Sequence, residues 1–416
     1  MGAAAKGVDG DKKRRLPSAW RWVRLEEVCE IVGDSINPQG CPCETFAHYS
    51  LPAFDEGSRP ILEVGELIRS NKLLFPRGVV LFSKLNPRIS RVWNVTDHRN
   101  QRRICSTEFL PLLPKKGLLD ADYLTFALQE PHLIDRLRAQ VAAATKSRER
   151  LKPGLVLNAE IPLPSLTEQK RIAAILSDQV VTVQRASAAA EARLEAAGAL
   201  PDAYLKSVFD TCEAKEWPRR CLGEVATLVQ NGIYKPAEYY GSGHPFLRMY
   251  NISKCSWNLE LAELARVVLE GREAEKYRLR RGDLLFSRVN SFELVGKCGW
   301  VGPDAEGYVF ENMLIRVRVD ESLDSMFIAQ QMRTSGVRGQ IESLAKRAIG
   351  QASINSKDLR SIQIALPPLP LQQRISERLK KLTVDTDRTL RALKEQRETI
   401  DGLPAALLRR AFNGDL

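Results

Sequence analysis

No run of apolar residues in this 416-residue chain approaches the roughly 18–20 that a membrane-spanning helix needs. The opening, MGAAAKGVDGDKKRRL, has no basic stretch leading into an apolar one, so secretion is not expected and a cytoplasmic protein is. Lys6 stands where a myristoylation signal requires Ser or Thr, so this stretch reads as a flexible basic tail over residues 1–15. Among eight cysteines there is no CxxC pair. Cys41-Pro-Cys43 with His48 nearby is poorly spaced for zinc, and the thiols read as reduced core residues rather than ligands or disulfides. The four histidines (48, 98, 132 and 244) are scattered, without ligand spacing. Aromatics are sparse, at 7%.

Signatures of chemistry are missing as well. No GxxxxGK[ST] loop is present to cradle ATP phosphates, and no Gly-rich cofactor turn follows a strand. The Asn-Pro-Pro-aromatic tetrapeptide of amino-methyltransferases does not occur, and Pro303-Asp304 leads to no acid–x–Lys that would complete a nuclease site. These absences argue for a chain that binds rather than one that catalyses, with no cofactor or metal of its own.

Excess positive charge is what the chain does have. Its net charge is +11, and residues 77–103 carry seven Lys or Arg against one acid, Asp97. Such a patch suits a polyanion, and without membrane anchors nucleic acid is favoured over lipid.

The second positive feature is an internal repeat. IPLPSLTEQKRI at 161–172 returns as IALPPLPLQQRI at 364–375, with seven of twelve positions identical at an offset of 203. At the same offset ALPDAYLKSVF (199–209) aligns with GLPAALLRRAF (402–412). The preceding stretches match more loosely. Trp20, Leu25 and Val28 pair with Trp217, Leu222 and Val225, and GVVLFSK (78–84) pairs with GDLLFSR (282–288). The order is therefore variable domain, constant block, variable domain, constant block.

Each variable half reads as mixed α/β with curved sheets. VVLFS and LLFSR, opened by Gly78 and Gly282, have the pattern of buried strands after tight turns. RVVLE (266–270), WVG (300–302) and LIRVRV (314–319) read as further strands, and LTFALQE (124–130) and MFIAQQM (326–332) as equivalent helices. In the constant blocks the Pro-rich segments are extended. A helix then starts with Thr167 as N-cap and runs to Pro201, with Pro404 closing the second copy, so about 32 residues make a rod of roughly 48 Å.

A near-heptad apolar stripe follows each rod. It includes Ile172, Leu176, Val183 and Leu194 on the first, and Ile375, Leu379, Leu382, Leu390 and Leu393 on the second. Small-for-large exchanges between the copies, such as Ala190 against Leu393, predict that the rods pack on each other as a coiled coil, expected to be antiparallel; packing of each rod on its own globular domain is the competing reading. A pseudo-two-fold object of this kind matches a two-part site on duplex DNA, whose local dyads lie perpendicular to its axis.

With these features the chain resembles the specificity subunit of type I restriction-modification systems. The doubled Pro-rich block, the terminal Leu-x3-Phe-x-Gly-x-Leu and the Trp-x4-Leu-x2-Val and G-x3-FS-[KR] motifs carry the likeness from about residue 16 to 416. The first copy departs from it, ending FDTCEA without the Gly-x-Leu. The resemblance implies target recognition domains at 16–165 and 213–368 and conserved helical regions at 166–212 and 369–416. It implies a non-catalytic reader of a bipartite DNA sequence, docking two methyltransferase subunits that hold S-adenosylmethionine. ATP and Mg would belong to motor-nuclease subunits. The alternative, from another class, is a coiled-coil scaffold without sequence-specific DNA binding.

Base reading needs Arg, Lys, Asn or Gln at base edges and further cations on phosphates. The expected contacts after the FS-[KR] strands are Lys84, Asn86, Arg88 and Arg91 in the first half and Arg288 and Asn290 in the second, with Lys297 beyond. Arg248, Tyr250 and Asn251 in FLRMYNIS form a second group. Lys146 and Arg148, matched by Lys346, Arg347 and Gln351, form a third, and Lys235 a weaker addition. A solvated turn or surface charge is the competing reading for each.

Overall fold

The computed structural model describes residues 16–96, 100–140, 150–254 and 257–416. The chain divides into two compact units, one formed by residues up to Ala190 together with Gln396–Leu416, the other by Glu191–Glu395.

Each unit is built on a four-stranded antiparallel sheet. In the first the order is Cys29–Ile31, Phe109–Pro114, Val80–Ser83 and Val92–Asn94; in the second it is Ala226–Asn231, Leu314–Val319, Leu284–Ser287 and Cys298–Trp300. The continuous apolar run of the third strand has a simple cause. Val80 and Phe82 point into one core and Leu81 into another, and Leu284 and Phe286 are likewise separated from Leu285. With both faces covered, alternation disappears from the sequence. Gly78 (φ +76°) and Gly282 (φ +90°) open these strands in the left-handed region that glycine reaches freely.

Beyond this shared sheet the halves diverge. The first adds a five-stranded sheet in which Thr45–Tyr49 pairs parallel with Arg103–Ser106. The second adds a three-stranded sheet around Tyr240–Leu247 and another in which Val289–Asn290, Gln351–Ser353 and Lys346–Ala348 lie side by side.

The repeated block owes its sequence to two jobs. Its Ile-Pro-Leu segment, in the strand Glu160–Leu163, pairs with the domain-opening strand Arg21–Arg24, and Gln363–Ala365 pairs with Arg219–Cys221 in the same way. Its shared glutamine, fully buried in both copies, then fastens the helix that follows. Gln169 accepts from Asp120 N (2.9 Å) and donates to Leu118 O (2.9 Å) and Pro164 O (3.0 Å). Gln372 accepts from Asp324 N (3.0 Å) and donates to Pro367 O (2.7 Å).

The helices are longer than expected. They span Leu166–Phe209 and Leu369–Asn413, 44 and 45 residues, and pass through Pro201 and Pro404. A proline removes one intrahelical hydrogen bond, but packing beyond it holds each last turn: Leu205 is buried, as are Leu408, Ala411 and Phe412. The N-cap is Ser165 rather than Thr167, its hydroxyl accepting from Glu168 N at 3.3 Å. Pro370, expected in an extended segment, lies in the first turn of the second helix, where its missing N–H costs nothing.

Each helix starts in one unit and finishes in the other. Phe412 completes the first unit's core beside Tyr123, ring centroids 5.3 Å apart. Phe209 contributes to the second beside Phe327 at 5.4 Å and Trp217 at 6.2 Å. Within the first unit the two helices run antiparallel. Arg171 donates to Leu416 O at 2.9 Å, and sixteen residues along, Ser187 donates to Asp401 Oδ1 at 3.5 Å. Of the stripe, Ile172, Leu176 and Leu379 are buried, and Val183, Leu194, Ile375, Leu382, Leu390 and Leu393 are half-buried. Ile172 and Leu176 belong to the first unit's globular core, and Ile375 packs on the second's.

Candidate nucleic-acid interface

The FS-[KR] motif pins the chain as it leaves a rigid strand. The serine hydroxyl is buried in both copies and bonds the chain two residues on. Ser83 donates to Leu85 O and accepts from Leu85 N, both at 3.2 Å, and Ser287 donates to Val289 O at 3.4 Å. The next residue is anchored through its own backbone. Lys84 N donates to Glu108 O (2.8 Å) and Lys84 O accepts from Leu151 N (3.0 Å). Arg288 repeats this with Met313 O (2.8 Å) and Ile354 N (2.9 Å). Backbone fixed on both sides and a long cationic side chain left over is a suitable base for reaching a groove.

In the first unit, Asn86 takes a positive φ of 50° at the turn after Lys84, and Arg88 is exposed. Arg91 is not free: its guanidinium donates twice to Asp55, at 2.7 and 2.9 Å. This fork holds the Asp55 carboxyl below its ordinary pKa and raises Arg91. Lys146 and Arg148 lie outside the described residues. Arg150 pairs with Glu108 at 2.7 Å.

The second unit brings two of the sequence groups together. The three-stranded sheet places Arg288 and Asn290 next to the hairpin that carries Lys346, Arg347 and Gln351, and Arg288, Lys346 and Gln351 line a cleft of about 310 Å³. Lys346, Arg347 and Gln351 are exposed. Arg347 lies over the Phe292 ring, 3.6 Å from its centroid. Asn290 spends its side chain on the turn, donating to Ser287 Oγ (3.2 Å) and accepting from Ser291 N (2.9 Å).

FLRMYNIS requires a correction. Asn251 is buried, accepts from Arg248 N (2.9 Å) and donates both amide hydrogens, to Glu260 O (3.1 Å) and Glu263 O (2.9 Å). No donor remains for a base, so Asn251 is a latch. Lys297 is a second one. It is buried, its ammonium reaches Ile252 O and Met249 O, and burial pulls its pKa down. Together they hold the segment from which Tyr250 emerges, 56% exposed. Arg248 is half-buried, 5.4 Å from the Tyr240 ring and 3.9 Å from Glu311, whose pKa burial raises. Lys235 pairs with Glu273 at 2.8 Å.

The cysteines divide. Cys29 and Cys105 are buried with thiols pushed up to about 12, and Cys298 is buried with its thiol raised further. Cys43 and Cys212 are exposed, so the expectation of core thiols fails for them. Among the described residues no group of three or more His, Cys, Asp or Glu is placed to hold a metal ion. Nor is any described helix long and apolar enough to cross a membrane.

Sequence patterns gave no signal for the latches or the glutamine rivets, because a buried polar residue is identified only by its partners. The repeated glutamine was visible in the alignment of the two blocks, but its role was not.

The type I restriction modification DNA specificity domain matches residues 17–185 and again 214–398. The EcoKI type I restriction enzyme specificity subunit of Escherichia coli K12 is 25% identical over 278 residues, which cover 64% of this chain and 60% of that one. The StySPI specificity subunit of Salmonella potsdam is 24% identical over 366 residues, 84% of this chain and 77% of its own length. The matched stretch thus spans about 60% of the length of the E. coli relative. In three dimensions it is similar to a chain from a study of complex assembly and conformational transition in the type I R-M system, with TM-score 0.78, 24% identity and coverage of 97% and 100%. The HsdS subunit from Thermoanaerobacter tengcongensis gives TM-score 0.64 at 24% identity, covering 97% and 99%. At these identities the two structures speak for the fold.

Proposed function

Since the chain belongs to the type I restriction-modification DNA specificity family, we propose that it is the sequence-reading subunit of a methyltransferase–endonuclease complex and recognises a bipartite duplex target. The single observation that carries this reading is the duplication: two units share a sheet and differ beyond it, and two long helices each begin in one and end in the core of the other. A shared frame with unlike additions suits two unlike half-sites.

Residues 16–165 and 213–368 act as the recognition domains, and 166–212 and 369–416 as the helical regions that set the gap. A 44-residue helix measures about 66 Å, the length of about two turns of duplex DNA at roughly 34–36 Å each. Lys84, Arg88, Arg288, Lys346, Arg347, Gln351, Arg248 and Tyr250 face DNA in this reading, with Lys146, Arg148 and Lys235 as additional cations. Arg91 and Asn86 shape the turn that carries Arg88.

The methyltransferase subunits dock on the helices. Val181 and Val384 occupy the same position in the two repeats and are 46% and 49% exposed, which suits two copies of one partner with an apolar contact. The chain itself contributes no catalytic group. S-adenosylmethionine resides on the methyltransferase subunits, and ATP and Mg on motor-endonuclease subunits, in the cytoplasm.

Methylation profiling of the host genome tests the reading. A split motif with adenine marked on both strands is expected, and it should vanish when this gene is deleted. Persistence of every mark after deletion, together with no sequence-dependent mobility shift by the chain with its methyltransferase partner, would leave a scaffold. Arg88→Ala is expected to relax discrimination at one position of one half-site by about 1–3 kcal/mol, measured by competition binding. Uniform weakening on all sequences would place Arg88 on the phosphates instead.

A further inference from the structure

The hairpin Lys346–Ala348 and Gln351–Ser353 is closed by two residues, Ile349 and Gly350. Gly350 adopts a φ of +73°, as the turn requires. Ile349 is out of place. Turn positions favour Gly, Asn, Asp, Ser and Pro, each for a backbone reason that Ile does not supply. Packing does not account for it either, because Ile349 is 106% exposed, the highest value of any large hydrophobic side chain among the described residues.

Its surroundings are specific. Lys346 and Arg347 lie on one strand and Gln351 on the other, all exposed, and no carboxylate occurs in the sequence from 343 to 355. The ribbon is tied at its base to the strand that follows Arg288, with Val289 opposite Ser353 and Asn290 opposite Ala352. A narrow, cationic two-stranded ribbon tipped by one aliphatic side chain matches a recognised mode of DNA entry, in which an apolar wedge unstacks a base step while flanking cations hold phosphates.

We propose that Ile349 is such a wedge, inserted between base pairs at the half-site read by the second unit, with Lys346 and Arg347 on the adjoining phosphates. The inference rests on the DNA-reading role above and adds a specificity mechanism to it. Deformation is easiest at a pyrimidine–purine step, so the unit selects for one at a position where no side chain hydrogen-bonds a base. A protein contact is the other use of an exposed isoleucine, but a hairpin that carries two cations and no acid of its own favours a polyanion, even with Glu293 near Arg347.

The test uses the complex of this chain with its methyltransferase partner. Its probes are duplexes carrying the split motif found by profiling, with 2-aminopurine substituted in turn for each adenine of either strand other than the methylated ones, which covers every TA and CA/TG step outside them. Wild type is expected to raise fluorescence several-fold at one step of one half-site. Ile349→Ala loses that signal and binds the motif about tenfold more weakly, while Ile349→Leu keeps both. A motif that is bound with flat fluorescence, or a signal unchanged in Ile349→Ala, overturns the wedge and leaves DNA reading intact. Weaker assembly of Ile349→Ala with the methyltransferase in the absence of DNA assigns the residue to protein and overturns it too. Absence of any motif removes the reading and the wedge together.

Discussion

Phe412→Ala is expected to destabilise the first unit by about 3–5 kcal/mol, the range for a fully buried aromatic cut back to a methyl. Phe412 has no exposed surface and packs against Tyr123, whose hydroxyl donates to Pro162 O at 2.8 Å, within the strand that leads into the first helix. Removing the ring opens a cavity at the point where the two ends of the unit meet. The matched substitution Phe209→Ala should cost less, because Phe209 is only half-buried against Trp217 and Phe327. Urea unfolding followed by tryptophan fluorescence compares the two. Equal losses, or a loss below about 1 kcal/mol for Phe412→Ala, would contradict the burial difference.

Asp283→Ala carries a comparable expected loss in the second unit. Asp283 is fully buried and accepts from Arg318 twice, at 2.7 and 2.8 Å, and from Arg280 N at 2.8 Å; Arg316, 3% exposed, lies 3.8 Å away. Burial already presses the Arg316 pKa downward, with Asp283 opposing it. Breaking a buried ion pair strands the remaining charge and costs roughly 3–5 kcal/mol. The first unit offers a natural comparison. By strand register Val79, Pro111 and Leu113 occupy the positions of Asp283, Arg316 and Arg318, so the same frame is filled there without charge. Asp283→Val together with Arg316→Leu and Arg318→Leu should therefore recover part of the loss, although Arg316 also donates to Arg278 O and Lys276 O. Melting temperatures of the single and triple variants decide this. A triple variant less stable than Asp283→Ala would show that those carbonyl bonds outweigh the ion pair.

The parts of the fold that were legible in sequence were those governed by local rules or by repetition. VVLFS and LLFSR read as buried strands because their glycine turns and lengths left little else, and the helix Ser325–Gln331 fell where MFIAQQM placed it, whereas Ala121–Ala127 begins and ends three residues before LTFALQE. Proline reads as a stop by local rules, whereas burial of Leu205 and Phe412 beyond it carries each long helix onward. The site was harder to read. Residue type points to Arg, Lys and Asn, and type does not distinguish a free side chain from a spent one. Arg91 is held by Asp55, Asn251 by three backbone groups and Lys297 by two carbonyls, all contacts between residues distant in sequence or without pattern. Pairing of SRVNSFE with AKRAIGQ in one sheet was likewise beyond sequence reasoning, since a three-stranded arrangement of such short strands leaves no alternation to detect.

The passage of each helix into the opposite unit also orders events during synthesis. The first unit has its sheets and the opening turns of its helix by residue 190, yet Phe412 is translated more than two hundred residues later. At ordinary elongation rates that gap is about 10–50 s. For that interval the pocket beside Tyr123 is open on the nascent chain, and only a ribosome that has read through the second unit can close it.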